Sequence, residues 1–193
     1  IALINEFTQM CSSDGIDVNE VIDAAATKPY GFMPFRPGVG VGGHCIPVDP
    51  IYLSWWAKKL GCEAKIIETA DSINYQMSEF VSNRILRMIN SGKKNPKILI
   101  LGIAYKAGVS DVRESPVLRL IASLRQAGAT VAWHDPLVPV WEGSEPVDLG
   151  WDCDVAILAT KQPGMDVEKL ISKGIRILDC TNSIKNLTGV TSL

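Results

Sequence analysis

Four short apolar runs, separated by helical segments, restrict the second half of the chain to one class of fold. The runs are residues 97–102, 130–134, 154–160 and 175–179, and the helical segments are residues 116–127 and 166–172. A continuous apolar run that ends at a glycine, such as the first of these, is typical of a strand buried on both faces of a sheet. Strands that alternate with helices at this spacing predict an α/β fold with a parallel sheet and right-handed crossovers.

The first half of the chain has a helical period. Apolar residues at positions 1, 3, 4, 7 and 10 form one stripe, which predicts an opening helix. Asp17 and Glu20 have the spacing of a capping box and predict the start of a second helix that runs to about residue 27. We predict a third helix over residues 49–61 and a fourth over residues 64–91, with a break near residues 76–78.

One irregular segment interrupts these helices. Residues 28–47 contain four prolines and five glycines, a content that no helix or strand tolerates. We therefore divide the chain into a helical region over residues 1–95, with a long loop inside it, and an α/β domain over residues 96–193. The boundary is predicted within residues 91–96.

Charge and cysteine content argue against several classes of function. Residues 1–95 carry 9 basic and 10 acidic side chains, and the remainder carries 10 and 11, so neither half has the basic excess of a nucleic-acid-binding protein. No apolar run reaches the roughly 18 residues of a membrane span. The five cysteines show no CxxC spacing, which favours neither a disulfide framework nor a zinc site. We expect a cytoplasmic protein that binds no metal, no nucleic acid and no membrane.

The glycine-rich segment carries the first candidate for chemistry. Backbone N–H groups of such a loop can approach an anionic or sugar ligand closely, because glycine has no Cβ. The segment leads to Cys45, which stands four residues before Asp49 at the predicted start of the third helix. The positive end of a helix dipole favours a thiolate, so Cys45 is a candidate nucleophile. His44 could serve as the base of a cysteine hydrolase, although adjacent residues rarely aim their side chains at each other.

The second candidate follows the first predicted strand. In an open α/β sheet, ligands bind at the carboxyl ends of the strands, and Tyr105 and Lys106 lie at that position. A tyrosine ring can stack on a base and a lysine can neutralise a phosphate. The strand is not followed by the GxGxxG fingerprint, so this sheet need not bind a dinucleotide.

Both segments resemble one family of enzymes. Residues 35–50, with Gly40, Gly42, Gly43, Cys45 and Asp49 in the family's spacing, are similar to the active-site segment of the nucleotide-sugar 6-dehydrogenases. The wording Gly-His-Cys-Ile-Pro-Val-Asp-Pro is most similar to the branch that acts on UDP-N-acetylhexosamines. Residues 98–116 resemble the UDP-binding domain of the same family. The resemblance implies a helical central dimerisation region followed by a Rossmann-like UDP-binding domain.

The resemblance also implies roles for individual residues. Catalysis would rest on Cys45, as the nucleophile that forms a thiohemiacetal and then a thioester, and on Asp49, which would help to activate water. The active-site loop would span residues 34–50. The implied UDP-sugar contacts are Arg36, Gly38, Val39, Gly40, Val41, Gly42, Tyr105 and Lys106. Arg113 would reach towards the cofactor NAD on another domain.

These implications lead to a hypothesis and two alternatives. The hypothesis is the central and C-terminal part of an NAD-dependent UDP-N-acetylhexosamine 6-dehydrogenase that forms a homodimer through its helical region and supplies surface polysaccharide precursors. UDP-N-acetylglucosamine is the first expected substrate and UDP-N-acetylmannosamine the second. The alternatives are a nucleotide-sugar-binding module without catalysis and a UDP-glucose 6-dehydrogenase. Because Ile1 falls inside a helical pattern, we expect a longer parent protein whose NAD-binding domain and catalytic lysine lie upstream.

Overall fold

The first half of the chain is helical, and the second half forms a parallel sheet with helices between its strands. The structure is a computed structural model that describes residues 1–89, 93–185 and 187–193. Its helices are α1 (Ala2–Asp14), α2 (Val18–Ala26), α3 (Asp49–Lys59), α4 (Lys65–Met88), α5 (Pro116–Gln126) and α6 (Glu168–Ile171). Its strands are β1 (Lys97–Leu101), β2 (Thr130–His134), β3 (Val155–Leu158), β4 (Arg176–Asp179) and β5 (Val190–Ser192).

The sheet confirms the predicted α/β class. Its strands are all parallel and lie in the order β2-β1-β3-β4-β5. Side chains of β1 alternate between two cores: Ile98 and Ile100 join the core under α4 and α5, whereas Leu99 and Leu101 join the core on the opposite face. The chain leaves β1 towards β2 on one side and later returns to β3 on the other. This reversal creates a topological switch point at the carboxyl ends of β1 and β3, where ligands usually bind.

Local sequence signals account for two helix starts. The side chain of Asp17 accepts a hydrogen bond of 2.8 Å from the backbone N–H of Asn19 and so caps α2. Ser115 caps α5 in the same way, and Pro116 occupies the first turn, where its missing N–H costs nothing. The predicted start of α5 is therefore confirmed.

The predicted break in α4 is wrong. The helix continues through residues 76–78, and Ser78 is buried with its hydroxyl 3.1 Å from the carbonyl oxygens of both Val39 and Pro116. Ser78, which lies within the predicted break, therefore connects α4 to the irregular loop and to α5. Prediction also missed β5, a strand of three residues at the edge of the sheet.

The main hydrophobic core continues from the helical region into the sheet. Buried side chains of α4, among them Met77 and Ile85, belong to the same cluster as Leu120 of α5 and the inner residues of β1. The division into residues 1–95 and 96–193 stays a prediction, and its boundary overlaps residues 90–92, which lie outside the described residues. The shared core holds the irregular loop in a fixed place over the sheet's carboxyl edge.

Candidate functional site

The irregular loop between α2 and α3 packs directly on the edge of the sheet. A Cβ built on Gly42 would lie 2.8 Å from Pro116 Cδ and 3.1 Å from Tyr105 Cβ, which are closer than ordinary contacts. We predicted that glycine here admits a ligand. At Gly42 the close neighbour is instead protein, so this glycine brings the loop against the segment that carries Tyr105.

This packing leaves a cavity of about 470 Å³ at the switch point of the sheet. All the residues predicted from the resemblance to contact the UDP-sugar line it, namely Arg36, Gly38, Val39, Gly40, Val41, Gly42, Tyr105 and Lys106. Sequence reasoning missed Thr160, Lys161 and Thr181, which also line it. They follow the carboxyl ends of β3 and β4, so the rule that located Tyr105 could have identified them once the strand order was known.

The cavity is electrostatically positive. Among the described residues, its lining includes the cations Arg36, Lys106 and Lys161 and contains no Asp or Glu. Arg36 forms an ion pair with Asp23 of α2, and this hydrogen bond lowers the pKa of the Asp23 carboxyl. Neither lysine forms an ion pair within the described ranges. Two lysines without a carboxylate partner suit an anionic ligand such as a diphosphate.

A buried glutamine shapes the segment that carries Lys106. Gln162 is only 2% exposed, and its Oε1 accepts a hydrogen bond of 2.8 Å from the Gly108 N–H. Its Nε2 donates to the carbonyl oxygens of Val109 at 3.1 Å and of Lys106 at 3.4 Å. One side chain from the end of β3 therefore fixes the turn of the loop after β1.

A buried aspartate fixes the start of the same loop. The Asp135 carboxylate accepts hydrogen bonds from the N–H groups of Ile103 at 2.9 Å and Ala104 at 3.2 Å. Thr160 donates its hydroxyl to the Ala104 carbonyl at 2.9 Å. Gly102 passes so close to β3 that a Cβ would lie 1.9 Å from the Thr160 carbonyl oxygen, and its φ is +80°. Residues 103–109, which we call the nucleotide loop, are thus held by backbone and buried side-chain bonds.

The two candidate catalytic residues lie outside this cavity. Cys45 is exposed, and its carbonyl accepts hydrogen bonds from the backbone N–H groups of Val48 at 3.1 Å and Asp49 at 2.8 Å. Asp49 is the first residue of α3 and is also exposed. The thiol is therefore placed just ahead of the positive end of a helix, and its link to Asp49 runs through the backbone.

The candidate cofactor residue belongs to a small charged cluster. Arg113 donates from Nε at 3.0 Å and from Nη2 at 2.8 Å to the carboxylate of Asp111. These bonds, together with one from His44, hold the pKa of Asp111 well below its usual range. A cysteine hydrolase would require the His44 ring to hydrogen-bond to the Cys45 thiol. Instead, His44 Nε2 lies 3.0 Å from Asp111 Oδ2, so the ring hydrogen-bonds to that carboxylate.

A dinucleotide or metal would need further groups. Residues 38–43 match the letters of GxGxxG, but they lie in the irregular loop between two helices, not between a strand and a helix. This glycine-rich segment is therefore not a dinucleotide cradle. The cofactor contact that we predict from this chain is Arg113. Across residues 1–89, 93–185 and 187–193, no group of three His, Cys, Asp or Glu side chains is placed to hold a metal. No helix in these same ranges is long and apolar enough to span a membrane.

Comparisons with known proteins agree on both parts of the chain. Residues 1–76 match the central domain of the UDP-glucose/GDP-mannose dehydrogenase family, and residues 99–186 match its UDP binding domain. A UDP-N-acetyl-D-mannosamine dehydrogenase of Pyrococcus horikoshii is 34% identical over 96% of this chain and 45% of its own length. A UDP-N-acetyl-D-glucosamine 6-dehydrogenase of Pseudomonas aeruginosa is 36% identical over 72% of this chain and 33% of its own length.

A solved structure gives the same result for the fold. The UDP-N-acetyl-D-mannosamine dehydrogenase structure from Pyrococcus horikoshii superposes with a TM-score of 0.82 and 31% identity, over 100% of this chain and 47% of that one. The chain thus spans about a third to a half of the length of the relatives it matches.

Proposed function

Because the chain belongs to the UDP-glucose/GDP-mannose dehydrogenase family, we propose that it supplies the nucleotide site and the nucleophile of a UDP-N-acetylhexosamine 6-dehydrogenase. The reaction would oxidise the C6 alcohol of the sugar to a carboxylate, for the synthesis of surface polysaccharide precursors. The observation that carries the proposal is the cavity at the carboxyl ends of β1 and β3, where the described lining residues include two lysines and no carboxylate.

We propose that UDP occupies this cavity. Tyr105 would stack on the uracil ring, since an aromatic side chain offers a flat apolar face to a base. Lys106 and Lys161 would neutralise the diphosphate, and the backbone of residues 38–42 would line the sugar. The sugar then extends from the sheet edge along the irregular loop, in the direction of the segment that ends at Cys45.

The chemistry would take place at the Cys45 thiolate. After the first oxidation, its sulfur adds to the aldehyde carbon and a proton moves to the oxygen, which gives a thiohemiacetal. The thiohemiacetal then loses a hydride from its carbon and a proton from its hydroxyl, which gives a thioester; water displaces the thiolate, gives up its two protons and leaves a carboxylate. Asp49 would help to activate that water. The exposed position of Cys45 leaves room for a substrate to reach the sulfur.

We propose NAD as the acceptor of both hydrides, on the strength of family membership. This chain's own contribution would be Arg113, whose guanidinium lies on the surface with its carboxylate partner Asp111.

We propose that the helical region forms a homodimer. Large apolar side chains are more than half exposed on three helices, among them Leu3, Met10, Tyr52, Trp55, Trp56 and Ile66. A second copy related by a two-fold axis would cover such a surface, which a monomer rarely exposes. Sedimentation should give the dimer mass at micromolar concentration, and a monomer would refute the dimer.

We also propose that the enzyme is cytoplasmic. The five cysteines are all free, as is usual in the reducing cytoplasm.

The experiment that tests the function is an assay of the intact dehydrogenase with three sugars. UDP-N-acetylglucosamine, UDP-N-acetylmannosamine and UDP-glucose should be compared at equal concentration, with the acid and the NADH both measured. We expect an N-acetylated sugar to be preferred and two NADH to form for each acid. One NADH per sugar would make the aldehyde the product and would refute the cysteine mechanism. A preference for UDP-glucose would support that alternative, and binding without turnover would support the binding module.

A further inference from the structure

The residue before Cys45 connects two parts of the molecule that are far apart in sequence. His44 precedes α3, whereas Asp111 follows the nucleotide loop, and their side chains meet at 3.0 Å. The His44 ring also meets the ring of Tyr105 edge-on, with centroids 5.8 Å apart. A side chain adjacent to the candidate nucleophile therefore contacts the same segment that lines the cavity.

The acceptor in this contact, Asp111, is held in place by bonds that do not involve His44. Asp111 accepts hydrogen bonds from the backbone N–H of Arg113 at 2.9 Å and from its guanidinium. The carbonyl of Asp111 accepts a hydrogen bond of 3.1 Å from the Tyr105 N–H, which ties it to a residue that lines the cavity. Since a carboxylate can only accept, His44 donates from Nε2. The contact thus joins His44 to a fixed residue just after the nucleotide loop, and that residue is bonded to Tyr105 within the loop.

The backbone around His44 already touches the nucleotide loop. A Cβ built on Gly43 would lie 3.2 Å from Tyr105 Cε2, so this backbone and the Tyr105 ring are in direct contact. Apolar contact of this kind is not directional, whereas the hydrogen bond of His44 fixes an orientation. His44 itself does not line the cavity of about 470 Å³. Its influence on a ligand there must therefore pass through Tyr105 and Asp111.

We propose that His44 is a positioning residue that fastens the turn of Cys45 to the nucleotide loop, so that binding of UDP orders the nucleophile. The inference rests on the proposed function, because it takes UDP to bind at Tyr105 and Lys106. In this arrangement the bound nucleotide steadies the loop, Asp111 holds His44, and His44 limits the motion of the adjacent Cys45. A substrate thus meets a fixed thiol only when its nucleotide is in place.

The test is amide hydrogen exchange of the 193-residue chain with and without UDP. Mass spectrometry should follow two peptides, one over residues 103–111 and one over the turn at residues 44–52. The turn contains the N–H groups of Val48 and Asp49, which are bonded to the Cys45 carbonyl and so report on its order. In the unmodified chain we expect UDP to slow exchange in both peptides.

Two substitutions separate positioning from general damage. In His44→Ala, UDP should still slow residues 103–111, but its effect on the turn should fall by about two- to fivefold, the size expected of a partly exposed hydrogen-bonded pair. His44→Gln keeps a donor amide that can reach Asp111 and should restore the effect on the turn. Calorimetry gives the UDP affinity of each variant, so that exchange is compared at equal saturation and the difference at the turn reports the coupling alone.

The outcomes distinguish this inference from the proposed function. If UDP slows neither peptide in any variant, the nucleotide site itself is refuted. If UDP slows residues 103–111 but not the turn, or slows the turn equally in His44→Ala, the positioning role is overturned while the nucleotide site stands. If His44→Ala does not fold, His44→Gln decides: it should behave as the unmodified chain, and loss of the turn effect in a folded His44→Gln would contradict the proposal.

Discussion

The nucleotide loop and the turn of Cys45 are held in different ways. The loop is fixed from below by the buried side chains of Gln162 and Asp135, which bond to its backbone. The turn is exposed, and its links are the first backbone bonds of α3 and the contact of His44 with Asp111. The difference separates binding from chemistry. Affinity for the nucleotide should depend on the buried side chains that hold the nucleotide loop. Turnover should depend on the turn of Cys45, which is exposed and leaves the thiol accessible.

The sharpest way to break this comparison is to remove the thiol. In the intact dehydrogenase, Cys45→Ala should lower acid formation by at least about a thousandfold, because no other group there can form the thioester. UDP affinity should change by less than about twofold, since Cys45 does not line the cavity. Cys62→Ala removes another exposed cysteine and should leave both quantities unchanged. Unimpaired acid formation by Cys45→Ala would end the proposed mechanism.

The next largest effect should come from the frame of the nucleotide loop. Gln162→Ala removes the partners of three backbone groups and should lower the free energy of unfolding by about 2–3 kcal/mol, as expected for buried groups left unsatisfied. Urea unfolding followed by circular dichroism measures this change. Gln126→Ala, at an exposed position at the end of α5, is the matched control. Equal unfolding midpoints for the two variants would show that Gln162 does not hold the loop.

Lys106 provides a test of binding alone. It is exposed at the cavity and has no carboxylate partner in the described ranges, so Lys106→Ala should not affect folding. Loss of one charge-assisted contact to a phosphate should weaken UDP binding by about one to two decades. Lys169→Ala on α6 removes an equal charge at a position that does not line the cavity and should leave the affinity unchanged. Equal calorimetric affinities for both variants would place the diphosphate elsewhere.

The smallest effect concerns the pH dependence of the contact between the two regions. Hydrogen bonds from Arg113 and His44 lower the pKa of Asp111 below its ordinary value of 3.8. A lowered pKa contributes stability that is present above pH 3.8 and is lost as pH falls towards the folded value. The difference in melting temperature between the unmodified chain and Asp111→Asn should therefore persist from pH 7 to about pH 5 and shrink below pH 3.8. A difference that grows on acidification would contradict the assignment.

The sequence predicted the parts of the fold whose signals are local. The buried strand β1, the capping residue Ser115 and Pro116 of α5 all act through their neighbours in the chain. The break predicted in α4 failed because Ser78 finds its partners in Val39 and in α5, more than thirty residues away in each direction. Tertiary hydrogen bonds of this kind leave no trace in the hydrophobic period of a helix.

The candidate site was predictable where the resemblance names residues and less so elsewhere. Tyr105 and Lys106 followed from their place after a strand, and the cavity brings them together with the loop. The hydrogen bond between Gln162 and Gly108 joins residues 54 positions apart, and that between His44 and Asp111 joins residues 67 positions apart. Such contacts form only when the fold brings β3 and the loops together. The sequence shows that space is needed at Gly42, but not that Pro116 and Tyr105 lie against it; its role towards a ligand stays a prediction.

Calorimetric titration of the 193-residue chain with UDP and, separately, with NAD tests most directly whether this chain carries its own nucleotide site. We expect weak binding of UDP, with a Kd of roughly 10 μM to 1 mM, because the cavity and its lysines belong to the sheet of this chain. We expect no detectable binding of NAD at the same concentrations. Tight binding of NAD, or UDP binding that Lys106→Ala leaves unchanged, would refute a nucleotide site of this kind in the chain.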